Sequence, residues 1–455
     1  MVIGGFKGYS PTGSGSINPL APDGKVKFTI LDGDVNGTVA DIRDNAHHVV
    51  YIDGAVHPDF ATIPFRMSRV IVRYGFAYPG PSTLVGAAFG AGISCQDAVL
   101  ELDQVTVSNC LAEGSGGGIY VEAGSLRTRA CVIKNNSAVG SGGGIMIKHD
   151  HSHTTNVEDA FHSSQIHNTQ MISNSSGTSN SFFGTYGGGG IAFVGFFPRY
   201  QAGGVSHPGI SMANCLIESN RSSIGGGGFF QLYVAPGQSD YTQVQCELVS
   251  NTIVDNETFP VSHAQSTKGG GLFFFAPVFN VSKSLRISNS VVQFNRGFGG
   301  ADNNLDMASY FASPLQPAML SHNNIGPQPA SSNNPVWTNF ASNVIDVDPL
   351  FINSAMGNYR LSSNSPCIDV GNDFLLPADY RDLDGNGSTL SEQLPMDLDR
   401  YYGGNAPLNV RPREHNSPSA NGTPGITGVD AGNSAGSITD LGCYEWKPFN
   451  PYGSI

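Results

Sequence analysis

Along the first three quarters of the chain, short apolar runs alternate with polar positions at a period of two, as in Leu100, Leu102, Val105 and Val107 or Leu285, Ile287 and Val291. Such alternation sends successive side chains to opposite faces and predicts a series of short strands. Almost no stretch carries a competing helical period. Between the strands one phrase recurs: an Asn-rich turn, a glycine cluster, then an apolar strand. It occupies 109–121 (NCLAEGSGGGIYV), 135–147 (NNSAVGSGGGIMI), 174–194 with an expanded turn, 220–232 (NRSSIGGGGFFQL) and 256–275, with a truncated sixth copy at 295–300.

The glycine clusters begin at 116, 142, 187, 225 and 269, so a minimum unit of 26 residues is lengthened by insertions. A unit of two or three short strands cannot bury an apolar face alone and must stack on its neighbours. The expectation is an all-β fold, a right-handed parallel β-helix (solenoid) over 1–343. Glycine suits its corners by reaching positive φ and permitting close approach, and asparagine tolerates the left-handed conformation and can stack in a hydrogen-bonded ladder. Equivalent positions of successive units stack, so insertions after the apolar strand, near Ala123 and over 149–167, 195–208, 235–242 and 276–282, are expected to line one face. The expanded turns 175–186 and 257–268 are expected at a different edge. Near residue 345 the glycine phrase disappears. A Ser/Asn/Pro-rich stretch at 313–334 reads as surface loop, and an irregular Asp/Asn/Gly-rich C-terminal module is expected at 344–455.

That tail carries the most specific words in the chain: Asp346-Val-Asp348-Pro349-Leu350-Phe351, Asn358-Tyr-Arg-Leu361, Ser365-Pro-Cys-Ile-Asp369-Val-Gly371, Asp382-Leu-Asp384-Gly-Asn386-Gly and Asp440-Leu-Gly-Cys-Tyr444-Glu445-Trp446. The string resembles the choice-of-anchor Q module that ends many bacterial surface β-helix proteins, whose pattern is close to DPLF, YRL, SPAIDAG, DLDG and DIGAYE. The opening, with Gly4-Gly5-Phe6, Asp32-Gly33-Asp34 and Asp44-Asn45-Ala-His-His-Val-Val50, is similar to the start of such proteins. The resemblance implies export to the cell surface or medium and little about activity. Two departures stand out: cysteine replaces the small residue at 367 and 443, and no sorting signal follows Trp446.

Composition narrows the function classes. Glycine supplies 58 residues and charged residues only 13%, while 39% are apolar, enough to bury a core. The net charge of −13 and the absence of any basic run exclude nucleic acid as a partner. The most apolar stretch, 272–279, is far shorter than the roughly 20 residues a membrane span needs. No export signal is evident at Met1-Val-Ile-Gly-Gly-Phe, so one is expected upstream or removed. Seven cysteines without a C-x-x-C pair read as buried free thiols rather than a zinc site, with Cys367 and Cys443 the one pair considered for a disulfide.

Candidate chemistry is scattered. His149, His151 and His153 alternate along an extended segment and would reach one face, as a transition-metal site requires, although a polar loop accounts for the same letters. Asp382, Asp384 and Asn386 stand at positions 1, 3 and 5 of a calcium-type loop with Gly387 at position 6, but Gln393 replaces the closing Glu. Asp397 and Asp399 are candidates to complete a calcium site; a cluster of Asx turns is the structural alternative. A polysaccharide lyase needs a base and a cation to neutralise a uronate, roles open to Lys148, His149, Arg199 and Tyr200. For a hydrolase, no spacing singles out a carboxylate pair among Asp150, Glu158, Asp159 and Asp240. Phe182, Phe183, Tyr186, Phe196, Phe197, Tyr200 and Tyr241 offer flat rings with polar borders, suited to a glycan or another protein, the structural alternative being that several of them fold back to cap the loops.

The leading expectation is a secreted or surface-displayed, non-catalytic β-helix that contacts a glycan or surface component through stacked loops. A lyase or hydrolase acting on an acidic glycan is the alternative. The chain opens on a strand phrase without a capping helix, so either a cap lies upstream or the uncapped end self-associates into a fibre, which is a third reading.

Overall fold

The computed structural model describes residues 2–3, 28–35, 37, 44–54, 63–79, 88–149, 164–177, 187–197, 208–234, 245–260, 269–275, 285–297, 300, 302, 304–308, 319–327, 344–368, 370–372, 375–376 and 440–444. These residues are all-β, and three long parallel sheets hold most of the strands. The first sheet runs from Val50–Asp53 through Ile93–Gln96, Ile119–Glu122, Ile145–His149, Ile191–Phe197, Gly228–Val234 and Leu272–Phe275 to Leu305–Ala308. The second includes Val99–Asp103, Ser125–Arg129, Ser164–His167, Pro208–Ala213 and Gln245–Val249. The third includes Thr106–Ser108, Val132–Lys134, Gln170–Ile172, Leu216–Glu218, Thr252–Val254 and Val291–Gln293.

Sequence order visits the sheets in rotation, first, second, third and back to the first. The register never slips along the first sheet: Ile93, Ile119, Ile145 and Ile191 stand opposite one another. A one-residue slip would turn every core side chain outward, so the apolar alternation fixes this pairing. Inward residues of all three sheets, such as Ile119, Leu126, Ile133, Ile145, Ile166 and Met171, form one continuous buried core. Phe230 and Phe274 stack within it at 4.8 Å. In the last third of the array the facing differs from the expectation by one position, because Val292 enters this core while Val291 packs on the outer side against Leu361 and Cys367.

The Asn-rich turn resolves into two adjacent positions with different jobs. Asn109 and Asn135 are left-handed corner residues with φ of 56°, a conformation asparagine adopts at low cost. The residue that follows each corner points inward. There Asn136, Asn174, Asn220, Asn256 and Asn295 form a buried ladder that ends on Asn304, the residue before the strand Leu305–Ala308, each Nδ2 donating to the next Oδ1 at 2.8–3.1 Å. The same Oδ1 atoms accept backbone N–H groups, so amides turned inward at the corner are satisfied without water. Glycine is required by contact as well as by conformation: a Cβ on Gly144 would lie 2.5 Å from the Gly190 carbonyl oxygen of the next repeat. The glycine file also starts one repeat earlier than the sequence phrase, at Gly90 (φ 71°), in register with Gly116 and Gly142.

The stretch 313–334, expected as surface loop, instead contributes Met319–Ser321 to the second sheet and Asn324–Ile325 to the third. Leu320, Asn323, Asn324 and Ile325 are buried there, since the polar letters are asparagines serving corners rather than solvent. Val344–Ile345 pairs with Asn324–Ile325, so the third sheet continues past residue 344. Beyond it the antiparallel pair Phe351–Asn353 and Asn358–Leu361 packs on the outer face of the third sheet, where Tyr359, Cys443 and Tyr444 meet Leu216 and Val254. All seven cysteines are free and buried. Cys367 and Cys443 are therefore not joined, and the Cys367 sulfur accepts a hydrogen bond from Asn324 Nδ2 at 3.1 Å.

Candidate binding face

The first sheet turns a second set of side chains away from the core. In consecutive registered strands these are Tyr51, Ser94, Tyr120, Met146, Ala192, Phe229 and Phe273. From Tyr120 onward they are buried in a separate apolar cluster with Ile224, Val194 and Phe275. Phe89 stacks on Tyr120 at 5.0 Å, and Phe229 on Phe273 at 5.9 Å. A neighbouring outward file, Glu122, Lys148, Val194, Gln231 and Phe275, passes from charged to apolar in the same direction. One end of this face is therefore polar and the other aromatic.

The insertions share one place in the architecture. Each leaves the end of a first-sheet strand and returns at the start of the following second-sheet strand: after His149 to Ser164, after Phe197 to Pro208, after Val234 to Gln245, after Phe275 to Leu285 and after Ala308 to Met319. In an earlier repeat the same corner is only Ala123 and Gly124. Because the flanking strands are neighbours in the same two sheets, five successive insertions leave and return at the same corner, within about three residues of one another in register and with a register shift at Pro208/Ile210.

Of the residues singled out from sequence, two have described side chains. Lys148 is the outward residue beside Glu122, and its Nζ lies 2.6 Å from that carboxylate. This half-buried pair neutralises itself. His149 lies inside rather than on a loop: it ends the strand Ile145–His149, is 1% exposed, and turns toward the core. Its ring meets Phe193 edge-on at 5.1 Å and its Nε2 lies 3.4 Å from Ser164 Oγ. The strand period decides this, since His149 falls on the inward phase set by Ile145 and Ile147. Phe196 and Phe197 belong to the strand Ile191–Phe197, opposite Tyr233 and Val234, not to the insertion. Arg199, Tyr200, Phe182, Phe183, Tyr186, Tyr241, His151, His153, Asp382, Asp384, Asn386, Asp397 and Asp399 lie outside the described residues. Among the described residues no group of three or more His, Cys, Asp or Glu is placed to hold a metal ion.

Two further features stand on the outer faces of the sheets. The outward file of Tyr120, Phe229 and Phe273 was signalled by adjacent aromatics such as Phe229-Phe230, of which a strand must send one inward and one outward. The second is a carboxylate pair on the outer face of the third sheet: the Tyr359 hydroxyl lies 2.7 Å from Asp255 Oδ2 and 3.3 Å from Glu218 Oε1. Burial, reinforced by the Asp255 charge and opposed by the Tyr359 hydrogen bond, raises the Glu218 carboxyl above its usual range. Burial and the bond to Asp255 likewise raise the Tyr359 phenol. Residues more than 100 positions apart meet there, so no local motif announces the cluster. No protein-family model, curated protein or solved structure matches the chain. Among the described residues no helix is long and apolar enough to cross a membrane.

Proposed function

We propose that this chain is a right-handed parallel β-helix that displays stacked insertions as a non-catalytic binding surface for a glycan or another surface component outside the cell. The observation that carries the reading is the common corner of the five insertions. The repeats are committed to packing, whereas chain added at one corner leaves the register unchanged and accumulates on one side. The rotation of strands through three parallel sheets around one core supports the β-helix, and the C-terminal words shared with choice-of-anchor Q modules support export. Among the described residues on this face, the charged pair nearest the insertions is Glu122 with Lys148, which is internally neutralised. That favours contact by shape and hydrogen bonding over acid–base chemistry.

Affinity electrophoresis of the full chain against neutral and acidic polysaccharides, with reducing ends and unsaturated products followed in parallel, tests the reading. Retardation without product is expected, and it should weaken when 150–163 is shortened to the two-residue corner seen at Ala123 and Gly124. Product release would replace binding with cleavage. Retardation that survives shortening of every insertion would remove the loop face from the account.

A further inference from the structure

We propose that Glu218, Tyr359 and Asp255 form a proton-holding clasp that docks the C-terminal hairpin on the third sheet and slackens as the pH rises. A phenol hydroxyl carries one proton, and the 2.7 Å contact gives it to Asp255 Oδ2. The Tyr359 oxygen then faces Glu218 Oε1 at 3.3 Å. Two acceptors held that close in a half-buried site repel unless one carries a hydrogen. A protonated Glu218 completes the chain, its O–H donating to Tyr359 and Tyr359 donating to the Asp255 carboxylate.

Among the described residues no cation pairs with Glu218 to replace that proton. Ile172 and Val254 stand beside Glu218 in the neighbouring strands. Lys134 is a further strand away, beyond Ile172, and is exposed. Arg221, just past the corner, pairs with Glu257 at 3.2 Å. On the hairpin, Arg360 lies over the Tyr444 ring at 5.4 Å and donates to Asn358. Cys443 and Tyr444 complete the apolar surround, and Asp440 adds a further acid to the same C-terminal segment. The upward displacement of the Glu218 carboxyl, caused first by burial, agrees with a retained proton.

The sign follows from linkage. Docked Glu218 holds its proton more tightly than undocked Glu218, whose ordinary value is 4.5. Docking is therefore strongest below that value and weakens as the pH rises through the raised one. The limit for one proton is about tenfold in the docking equilibrium per pH unit.

Hydrogen exchange of the full chain, read on peptides covering 351–361, tests the clasp at about pH 5 and about pH 8 after correction for the intrinsic rates. In the parent chain the protection of this hairpin should fall several-fold between the two conditions. Glu218→Gln, which keeps a donor toward Tyr359 and cannot ionise, should hold the same protection at both. Asp255→Asn removes the charge that helps keep Glu218 protonated and should move the loosening to lower pH. Protection of 351–361 that is the same at both pH values in the parent chain, or that falls equally in Glu218→Gln, would overturn the proposal. Should Glu218→Gln fail to fold, the direction of the Asp255→Asn shift decides alone: movement to higher pH, or none, defeats the clasp.

Discussion

Asn174 Nδ2 donates to Asn220 Oδ1 at 3.0 Å, and the same oxygen also accepts the Asn174 backbone N–H at 2.9 Å. One side-chain atom thus serves two inward-turned donors of the preceding repeat. Replacing Asn220 with alanine strands the Asn174 backbone N–H and one of the two Nδ2 hydrogens in a dry corner, the other staying on the Ile133 carbonyl at 2.9 Å. At about 1–3 kcal/mol for each stranded group, Asn220→Ala should cost about 3 kcal/mol, seen as a lowered urea midpoint. Asn135→Ala, one position before the ladder and exposed, should cost about 1 kcal/mol through its left-handed backbone. Equal losses would show that the ladder carries no special share.

Gly144 tests the packing of repeats against each other. A methyl group there meets the Gly190 carbonyl oxygen at 2.5 Å and the Asn174 amide carbon at 3.0 Å. Neither can yield without disturbing the ladder or the first sheet. Gly144→Ala should therefore destabilise by about 2–3 kcal/mol. Gly37→Ala, with nothing within 4 Å, should lose only the cost of its positive φ. Thermal unfolding of the two variants side by side separates contact from conformation.

For His149 the interior position sets the outcome. Truncation removes an imidazole packed on Phe193 and should cost about 2–3 kcal/mol of stability, as cavity-forming changes do. Nickel or zinc uptake measured by calorimetry should be unaffected by His149→Ala. Loss of metal affinity at unchanged stability would instead return the residue to a ligand role.

The thiols offer a chemical test of burial. Desolvation pushes Cys95, Cys110 and Cys246 up to about 12. Burial raises Cys367 to about 11. At about pH 8 the thiolate fraction of the first three is on the order of one in 10,000, so a thiol-specific disulfide reagent should react slowly with the native chain. Full denaturation should then release all seven equivalents, because none is in a disulfide. Reactivity rises with pH as thiolate forms. A rapid equivalent from the native chain would contradict the burial.

The strands were legible because their signal is local: alternation marks the faces, and GGG followed by an apolar pair marks each return to the first sheet. The repeat at Gly90 lacks the sequence phrase because Ala91 interrupts its glycines, although the backbone geometry is the same. Asn109 and Asn174 begin the same sequence phrase, yet Asn109 is itself the left-handed corner, with Cys110 in the ladder position, whereas Asn174 follows the corner Ser173 and is a ladder residue. His149 was misplaced for a related reason: its polar neighbours suggested a loop, while the phase of Ile145 and Ile147 carries through it. Glu218, Asp255 and Tyr359 were beyond reach, since their meeting depends on how a distant hairpin lies across a sheet.

The rotation of strands through three sheets also gives the molecule a mechanical grain. Neighbouring repeats are joined by backbone hydrogen bonds that point along the stack, while the strands themselves run across it. Tension applied between the two ends would load those bonds one repeat at a time, and the molecule would lengthen by peeling in steps. A shear force across the stack would oppose many bonds together. Such an array yields gradually to a pull from its ends and stiffly to a sideways drag.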